Sequence, residues 1–165
     1  MMQHTENERR TWLLVWNSSR LSGLDPQYGI EELQSDFRQL GFAISKWSCG
    51  VTKSIKKGDR FFLIKLGQEP RGIIASGCSL SDVFSGTHWD EDKRTSGIEA
   101  KRVYVKFDDI RLSEEGMLTI GHLKETYPGF HWSSQSSGVG IPDHVARPLE
   151  EAWRQKHNPY LMSKR

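Results

Sequence analysis

The chain is organised around the stretch Lys46-Trp47-Ser48-Cys49-Gly50, which ends a β-rich run that begins at Ala43. Two other steps, Trp16-Asn17 and His88-Trp89, also place an indole beside a hydrogen-bonding residue. Indole rings bury much area and prefer stacked or edge-on partners, so two rings that face each other form a slot for a planar ligand. The sequence therefore predicts that Trp47 and Trp89 are the two walls of such a slot.

The pattern of apolar residues predicts an α+β fold. The predicted strands are Thr11–Trp16, Ala43–Ser48, Arg60–Leu66, Arg71–Cys78 and Arg102–Ile110. A helix is predicted from Ile30 to Leu40, because its apolar residues recur every three or four positions and Gly41 follows where a helix stop is expected. Shorter helices are predicted at 117–126 and 148–155. Together these elements predict a small mixed β-barrel or a strongly curved sheet with peripheral helices.

Size and composition indicate one soluble domain. The 165 residues are enough for an ordinary core, and we expect a domain at 11–155 between a flexible tail at 1–10 and a C-terminal tail or linker at 156–165. The net charge of +2 neither demands nor excludes a nucleic-acid partner. The chain has no signal-peptide core and no apolar run near the ~20 residues that span a membrane. We therefore expect a cytoplasmic protein.

Two of the residues around the predicted slot, Trp47 and Asn17, each have two interpretations. Trp47 is either a pocket wall or a core residue, and small neighbours favour the pocket. Asn17 carries an amide that can read the edge of a base, but Asn-Ser-Ser is equally typical of a turn. Ser48 and the backbone amides of Cys49-Gly50 could read another edge, and Gln135 could close the pocket. Because a base must leave its stack to be inspected, a flipped nucleobase is the ligand we expect.

Basic residues cluster on both sides of the predicted slot. Such runs are usually solvated surface, but here they would also suit contacts with phosphate groups. They are Lys53, Lys56, Lys57 and Arg60 in one run and Lys93, Arg94, Lys101 and Arg102 in the other. Of these, Lys53, Lys56, Lys57 and Arg94 are the predicted contacts to a nucleic-acid backbone.

Catalysis has little support in the sequence. The histidines lack metal-ligand spacing, no phosphate-binding glycine loop is present, and His88 is followed by Asp90 rather than by the glutamate of the zinc deaminases. The two cysteines, Cys49 and Cys78, are too few for a four-cysteine metal site. Cys49 could act as a nucleophile, although a cysteine is more often an inert apolar residue. We predict no enzyme activity, metal or cofactor.

Several of these segments, in this order, resemble EVE-like and YTH-like domains of the PUA-like superfamily. They are 12–17 (WLLVWN), 46–48 (KWS), 58–64 (GDRFFLI), 71–77 (RGIIASG), His88-Trp89, 104–108 (YVKFD), 132–138 (WSSQSSG) and 149–153 (LEEAW). The last two segments are similar to the closing pattern of EVE-like modules attached to HNH restriction endonucleases. The resemblance covers about residues 11–154.

The resemblance implies a reader of modified bases. In YTH domains the corresponding tryptophans form an aromatic cage around a methylated adenine, which places Trp47, Trp89, Asn17 and Ser48 in the site. Trp16 belongs to the same predicted set. EVE-type modules imply 5-methylcytosine or 5-hydroxymethylcytosine flipped from double-stranded DNA. No nuclease or motor segment is present, so the resemblance implies a targeting domain for a separate effector nuclease.

Three other functions remain open at this point. The same fold would suit a reader of methylated RNA. The chain could also be an enzyme that acts on a modified nucleotide through Cys49. Finally, it could be a protein-interaction module in which Trp89 and Trp132 are the main contact residues.

Overall fold

The computed structural model describes residues 9–18, 29–50, 52–86, 100–134 and 136–156. Its elements, in chain order, are β1 (Thr11–Asn17), α1 (Ile30–Leu40), β2 (Ala43–Ser48), β3 (Arg60–Leu66), β4 (Gly72–Ser79), β5 (Phe84–Gly86), β6 (Ala100–Ile110), β7 (Leu118–Thr119), α2 (Ile120–Thr126), β8 (Val139–Ile141) and α3 (Asp143–Gln155). The α+β class and the five predicted strands are confirmed. The last helix begins five residues before the predicted start at Pro148, because Val145, Leu149 and Trp153 form one buried stripe along it.

The strands form one mixed sheet in the order β2-β6-β4-β3-β1-β8, with β5 beside β6 and β7 beside β4. Strands β1 and β3 are parallel over their full length, and the other described pairs are antiparallel. No ladder joins the end strands β2 and β8 within the described ranges. The prediction of a closed barrel was therefore wrong, although the predicted curvature of the sheet brings its two edges close together.

Side chains rather than a strand ladder bridge the gap between the edges. The Ser137 hydroxyl accepts a hydrogen bond from the Val15 amide at 3.0 Å and donates one to the Ser48 carbonyl at 2.7 Å. The Thr52 hydroxyl donates to the Gly138 carbonyl at 2.6 Å. A buried backbone N–H or carbonyl group needs a hydrogen-bond partner, but that partner does not have to be another strand. At these edges side-chain hydroxyl groups are the partners, so a continuous ladder is not required.

One face of the sheet carries α1 and the first hydrophobic core. Leu33 and Phe37 of the helix are buried against this face, which also contains Phe61 and Phe107. The helix ends as predicted at Gly41, whose positive φ of 82° suits glycine and whose N–H donates to the carbonyl of Phe37. Burial of each such aromatic residue is worth roughly 1.5–3 kcal/mol.

The opposite face carries α2 and α3 over β1, β3 and β4. Leu149 and Trp153 of α3 pack with Phe62 in the second core, and the Phe62 and Trp153 rings meet edge-on at 6.1 Å. The indole N–H of Trp153 donates to the Ser76 hydroxyl on β4 at 2.9 Å. These contacts hold α3 over the centre of the sheet, and α3 does not cover β2 and β6.

Candidate nucleic-acid interface

The predicted Trp16-Asn17 and Trp47-Ser48 steps lie close together. The indole N–H of Trp47 donates to the Val15 carbonyl at 3.2 Å, so the end of β2 lies against the end of β1. Ser137 connects the same two strands through its hydroxyl group. The curvature of the sheet thus creates a corner where β1, β2 and residues 136–138 meet.

Trp47 is a core residue, which corrects its predicted role as a pocket wall. Its side chain is 0% exposed, and its ring meets Phe107 edge-on with the centroids 5.9 Å apart. A base could not stack on this ring without displacing the protein's own side chains. The alternation along β2 indicates that Trp47 faces the core, because Ala43, Ser45 and Trp47 are buried while Ile44 is exposed.

The side chain of Cys49 is also buried in the core and is not accessible to a ligand at the predicted site. Its side chain is fully buried, with the Sγ atom 3.7 Å from the Thr52 carbonyl, and its backbone N–H donates to the Lys101 carbonyl at 3.0 Å. Burial raises the pKa of the Cys49 thiol to about 11. The thiol is therefore protonated at neutral pH, and this opposes the alternative in which Cys49 is a nucleophile.

Three predicted base-binding residues remain accessible at the corner. Trp16, Asn17 and Ser48 are all half-buried. Trp16 packs on the edge of the first core, and the ammonium group of Lys65 lies 5.8 Å from the centre of its ring. The Ser48 hydroxyl accepts a hydrogen bond from the Gly50 amide at 3.4 Å. These residues offer an aromatic surface, an amide and a hydroxyl within one small area.

Trp89, Gln135 and Arg94 lie outside the described residues, as does His88. The strands that flank 87–99 do reach the corner, because Gly86 pairs with Ala100 and, two residues later, Arg102 pairs with Ser48. The proposed role of Trp89 therefore stays a prediction, as do those of Gln135 and Arg94.

The other tryptophans belong to the cores. Trp12 and Trp153 are buried as expected. Trp132, which the sequence left open, is 0% exposed and donates its indole N–H to the Tyr127 carbonyl at 3.1 Å. A protein-interaction module that uses Trp132 as a surface contact is therefore not supported by its position.

The basic turn before β3 presents three exposed lysines. Lys53, Lys56 and Lys57 have exposed side chains, while Ile55 between them is buried and anchors the turn. The Asp59 carboxylate accepts the Lys56 amide at 3.0 Å and the indole N–H of Trp12 at 2.9 Å. A turn held in this way presents its ammonium groups in a fixed region, as phosphate contacts require.

Arg60, in the same basic run, has a structural role instead. Its guanidinium group pairs with Glu150 through Nε and Nη2 at 2.8 and 3.0 Å and with Asp108 through Nη1 at 2.6 Å. Burial opposes the charge, but the hydrogen bond with Glu150 and the charge of Asp108 prevail and raise the pKa of Arg60 above its ordinary value. Arg60 thereby ties α3 to the sheet and is not a surface cation.

Other kinds of site are not evident in the described part of the chain. It contains no group of three or more His, Cys, Asp or Glu residues that could hold a metal ion. None of its helices is long and apolar enough to span a membrane. A cavity of about 330 Å³ lies at the start of β1, where Arg9, Arg10, Gly140 and Asp143 are among its lining residues.

The fold is shared with solved structures, whereas neither a protein-family model nor a curated protein sequence matches the chain. Human THYN1, crystallised in complex with DNA containing 5-methylcytosine, is 15% identical with a TM-score of 0.63, over 90% of this chain and 99% of that one. A hypothetical protein from Leishmania major is 14% identical with a TM-score of 0.65, over 92% and 98%. A protein from Pseudomonas syringae is 17% identical with a TM-score of 0.60, over 87% and 99%.

These likenesses extend over nearly the whole of each chain and establish a common architecture. At such low identity they do not identify individual site residues. The evidence for a site at the corner is therefore limited to the contacts within this structure.

Proposed function

We propose that this chain is a DNA-binding domain that recognises a modified cytosine, with 5-methylcytosine as the first candidate. The observation that carries the proposal is the fold shared with human THYN1, whose crystal contains DNA with 5-methylcytosine, over 90% of this chain. The composition of the corner supports it, because Trp16, Asn17 and Ser48 are accessible there and an exposed lysine turn precedes β3.

In the proposed complex the base is flipped out of the duplex and held at the corner. Trp89 and Trp16 would supply aromatic surfaces, and Asn17, Ser48 and Gln135 would hydrogen-bond the edges of the base. Lys53, Lys56, Lys57 and Arg94 would contact phosphates. Buried Trp47 does not contact the base in this proposal. It supports the site indirectly, because its hydrogen bond to the Val15 carbonyl holds β2 against β1.

Energetics limit how strongly a methyl group can be recognised. Base–aromatic stacking is worth ~1–3 kcal/mol per base, so two rings can offset the few kcal/mol of unstacking and unpairing. Burial of one methyl group adds only about 1 kcal/mol, or roughly fivefold in affinity. We therefore expect a modest preference for 5-methylcytosine over cytosine. A larger preference for 5-hydroxymethylcytosine would require a hydrogen bond to its hydroxyl group.

The test is titration of the full chain with two duplexes that differ only in one 5-methylcytosine. Wild type should bind the methylated duplex more tightly, and Trp89→Ala should remove the preference while the protein stays folded. A matched control is Trp153→Phe, which changes a buried indole of α3 that packs against Phe62 in the second core. Equal affinity of wild type for both duplexes contradicts the proposal.

We further propose that the domain targets an effector nuclease of a modification-dependent restriction system and does not itself cut DNA. The resemblance of residues 132–138 and 149–153 to the closing pattern of modules attached to HNH endonucleases motivates this proposal. The purified chain should leave a methylated plasmid intact in the presence of Mg²⁺. Cleavage that depends on methylation and survives rigorous purification would refute the second half of the proposal.

A further inference from the structure

The outward surface of β2 and β6 has no helix over it in the described part of the fold. Helices α2 and α3 cover β1, β3 and β4 on this side of the sheet, and α1 packs on the other side. We name the uncovered surface the open face and define it by the side chains of Ile44, Lys46, Tyr104 and Lys106, together with Arg102, which lies on the same side of the sheet but is largely buried. Ile44 is 46% exposed and Tyr104 is 44% exposed.

The strand register places the cations of the open face around an aromatic ring. The directly opposed pairs are Ser48 with Arg102, Lys46 with Tyr104, and Ile44 with Lys106. Opposed residues share one face of a sheet, and alternate residues along β6 are roughly 7 Å apart. The Tyr104 ring is stacked on Phe84 of β5, with centroids 5.0 Å apart and planes at 28°. Tyr104 is thus a supported ring with a positive charge on each side.

The open face is positively charged. No ion pair links Lys46, Arg102 or Lys106 to a carboxylate among the residues that the structure describes. The next outward residue of β6, Asp108, is already bonded to Arg60. The ammonium group of Lys106 lies 4.9 Å from the centre of the Phe42 ring. A surface of this composition is complementary to an anionic partner with apolar parts.

Arg102 supplies an independent indication of an anionic ligand. It is only 8% exposed, and its buried Nε–H has no hydrogen-bond partner within the described structure. A buried donor without a partner costs about 1–3 kcal/mol, more when it is charged, so a shift of the Arg102 side chain toward an anionic ligand would recover that cost. Because Arg102 lies opposite Ser48, the open face is continuous with the corner proposed to hold the base.

We propose that the open face binds the sugar–phosphate backbone of the DNA strand next to the recognised base. Lys46, Lys106 and Arg102 bind phosphate groups, and Tyr104 and Ile44 pack against the deoxyribose rings. This inference rests on the proposed function, because DNA is its partner. A protein partner fits the surface less well, since lysine is depleted in protein–protein interfaces.

The salt dependence of binding tests this assignment. In the double variant Lys46→Gln/Lys106→Gln, the slope of log Kobs against log salt should fall by about 1.8, since each phosphate contact contributes ~0.9. The fall should be equal for methylated and unmethylated duplexes. The matched control Lys124→Gln/Arg147→Gln removes two exposed charges from α2 and α3 and should keep the wild-type slope. Tyr104→Ala should weaken binding to both duplexes about fivefold.

The outcomes separate this inference from the proposed function. An unchanged slope in the open-face variant, with the preference for methylated DNA intact, overturns the inference and leaves the proposed function standing. A reduced slope without any preference for methylated DNA supports the open face and contradicts the proposed function.

A single variant tests the role of the buried cation. Arg102→Gln should lower the slope by about 0.9 while the melting temperature stays that of wild type. A lower melting temperature with an unchanged slope shows instead that Arg102 is structural and overturns its assignment.

Discussion

Replacement of Trp47 distinguishes a core residue from a wall of the base site. Truncation of a buried tryptophan to alanine costs about 3–5 kcal/mol, and loss of the hydrogen bond to the Val15 carbonyl is part of that change. A domain of this size has a free energy of unfolding of roughly 5–15 kcal/mol, so Trp47→Ala should remove a large fraction of it. Trp47→Phe retains a ring against Phe107 but removes the N–H, and should cost about 1–2 kcal/mol.

Urea denaturation measures both changes. With an m-value of about 2 kcal/mol/M, the midpoint should fall by roughly 1.5–2.5 M for Trp47→Ala and by roughly 0.5–1 M for Trp47→Phe. DNA binding should be retained by Trp47→Phe under conditions where it is folded. The reasoning is refuted if Trp47→Ala unfolds at the wild-type urea concentration yet loses its preference for methylated DNA, because Trp47 would then belong to the site.

Three further predictions follow from the described contacts. Ser137→Ala removes the hydroxyl that bridges β1 and β2, so the free energy of unfolding should fall by about 1–3 kcal/mol; chemical denaturation measures this, and an unchanged value would mean that the bridge is not made. Because burial raises the pKa of Cys49 from 9.0 to about 11, the thiol favours the folded state below pH 9 and that contribution is lost as the pH rises toward about 11. Stability should therefore fall over this window less steeply in Cys49→Ser than in wild type, and parallel pH profiles would contradict the buried thiol. The triple variant Lys53→Gln/Lys56→Gln/Lys57→Gln should lower the salt slope of DNA binding by up to about 2.7 without a change in melting temperature, whereas a wild-type slope would remove the lysine turn from the interface.

Local patterns were sufficient to predict most of the fold. The run of aromatic and aliphatic residues in β3 and the apolar spacing of α1 before Gly41 each agree with the structure. The way in which the two edges of the open sheet are bridged was not predictable from such patterns, because it depends on hydrogen bonds between the Ser137 hydroxyl and backbone groups more than 80 residues away. Nothing in the sequence around Ser137, which lies in a Ser/Gly-rich segment, indicates that this serine bridges two strands.

Residue type alone is a poorer guide to the site in this chain than strand periodicity. Trp47 occupies the same face of β2 as buried Ala43, and that parity indicates the core. Arg60 looked like part of a basic run, yet its partners Asp108 and Glu150 are distant in sequence and only the fold brings them together. Strand β6 has the same alternation, since Val103, Val105 and Phe107 are buried while Tyr104 and Lys106 of the open face are exposed.

The central claim is that the domain distinguishes a methylated cytosine from an unmethylated one in otherwise identical DNA. Titration of the full chain with matched duplexes at one fixed salt concentration tests it most directly. Binding to the methylated duplex should be tighter by roughly fivefold. Equal dissociation constants for the two duplexes would contradict it.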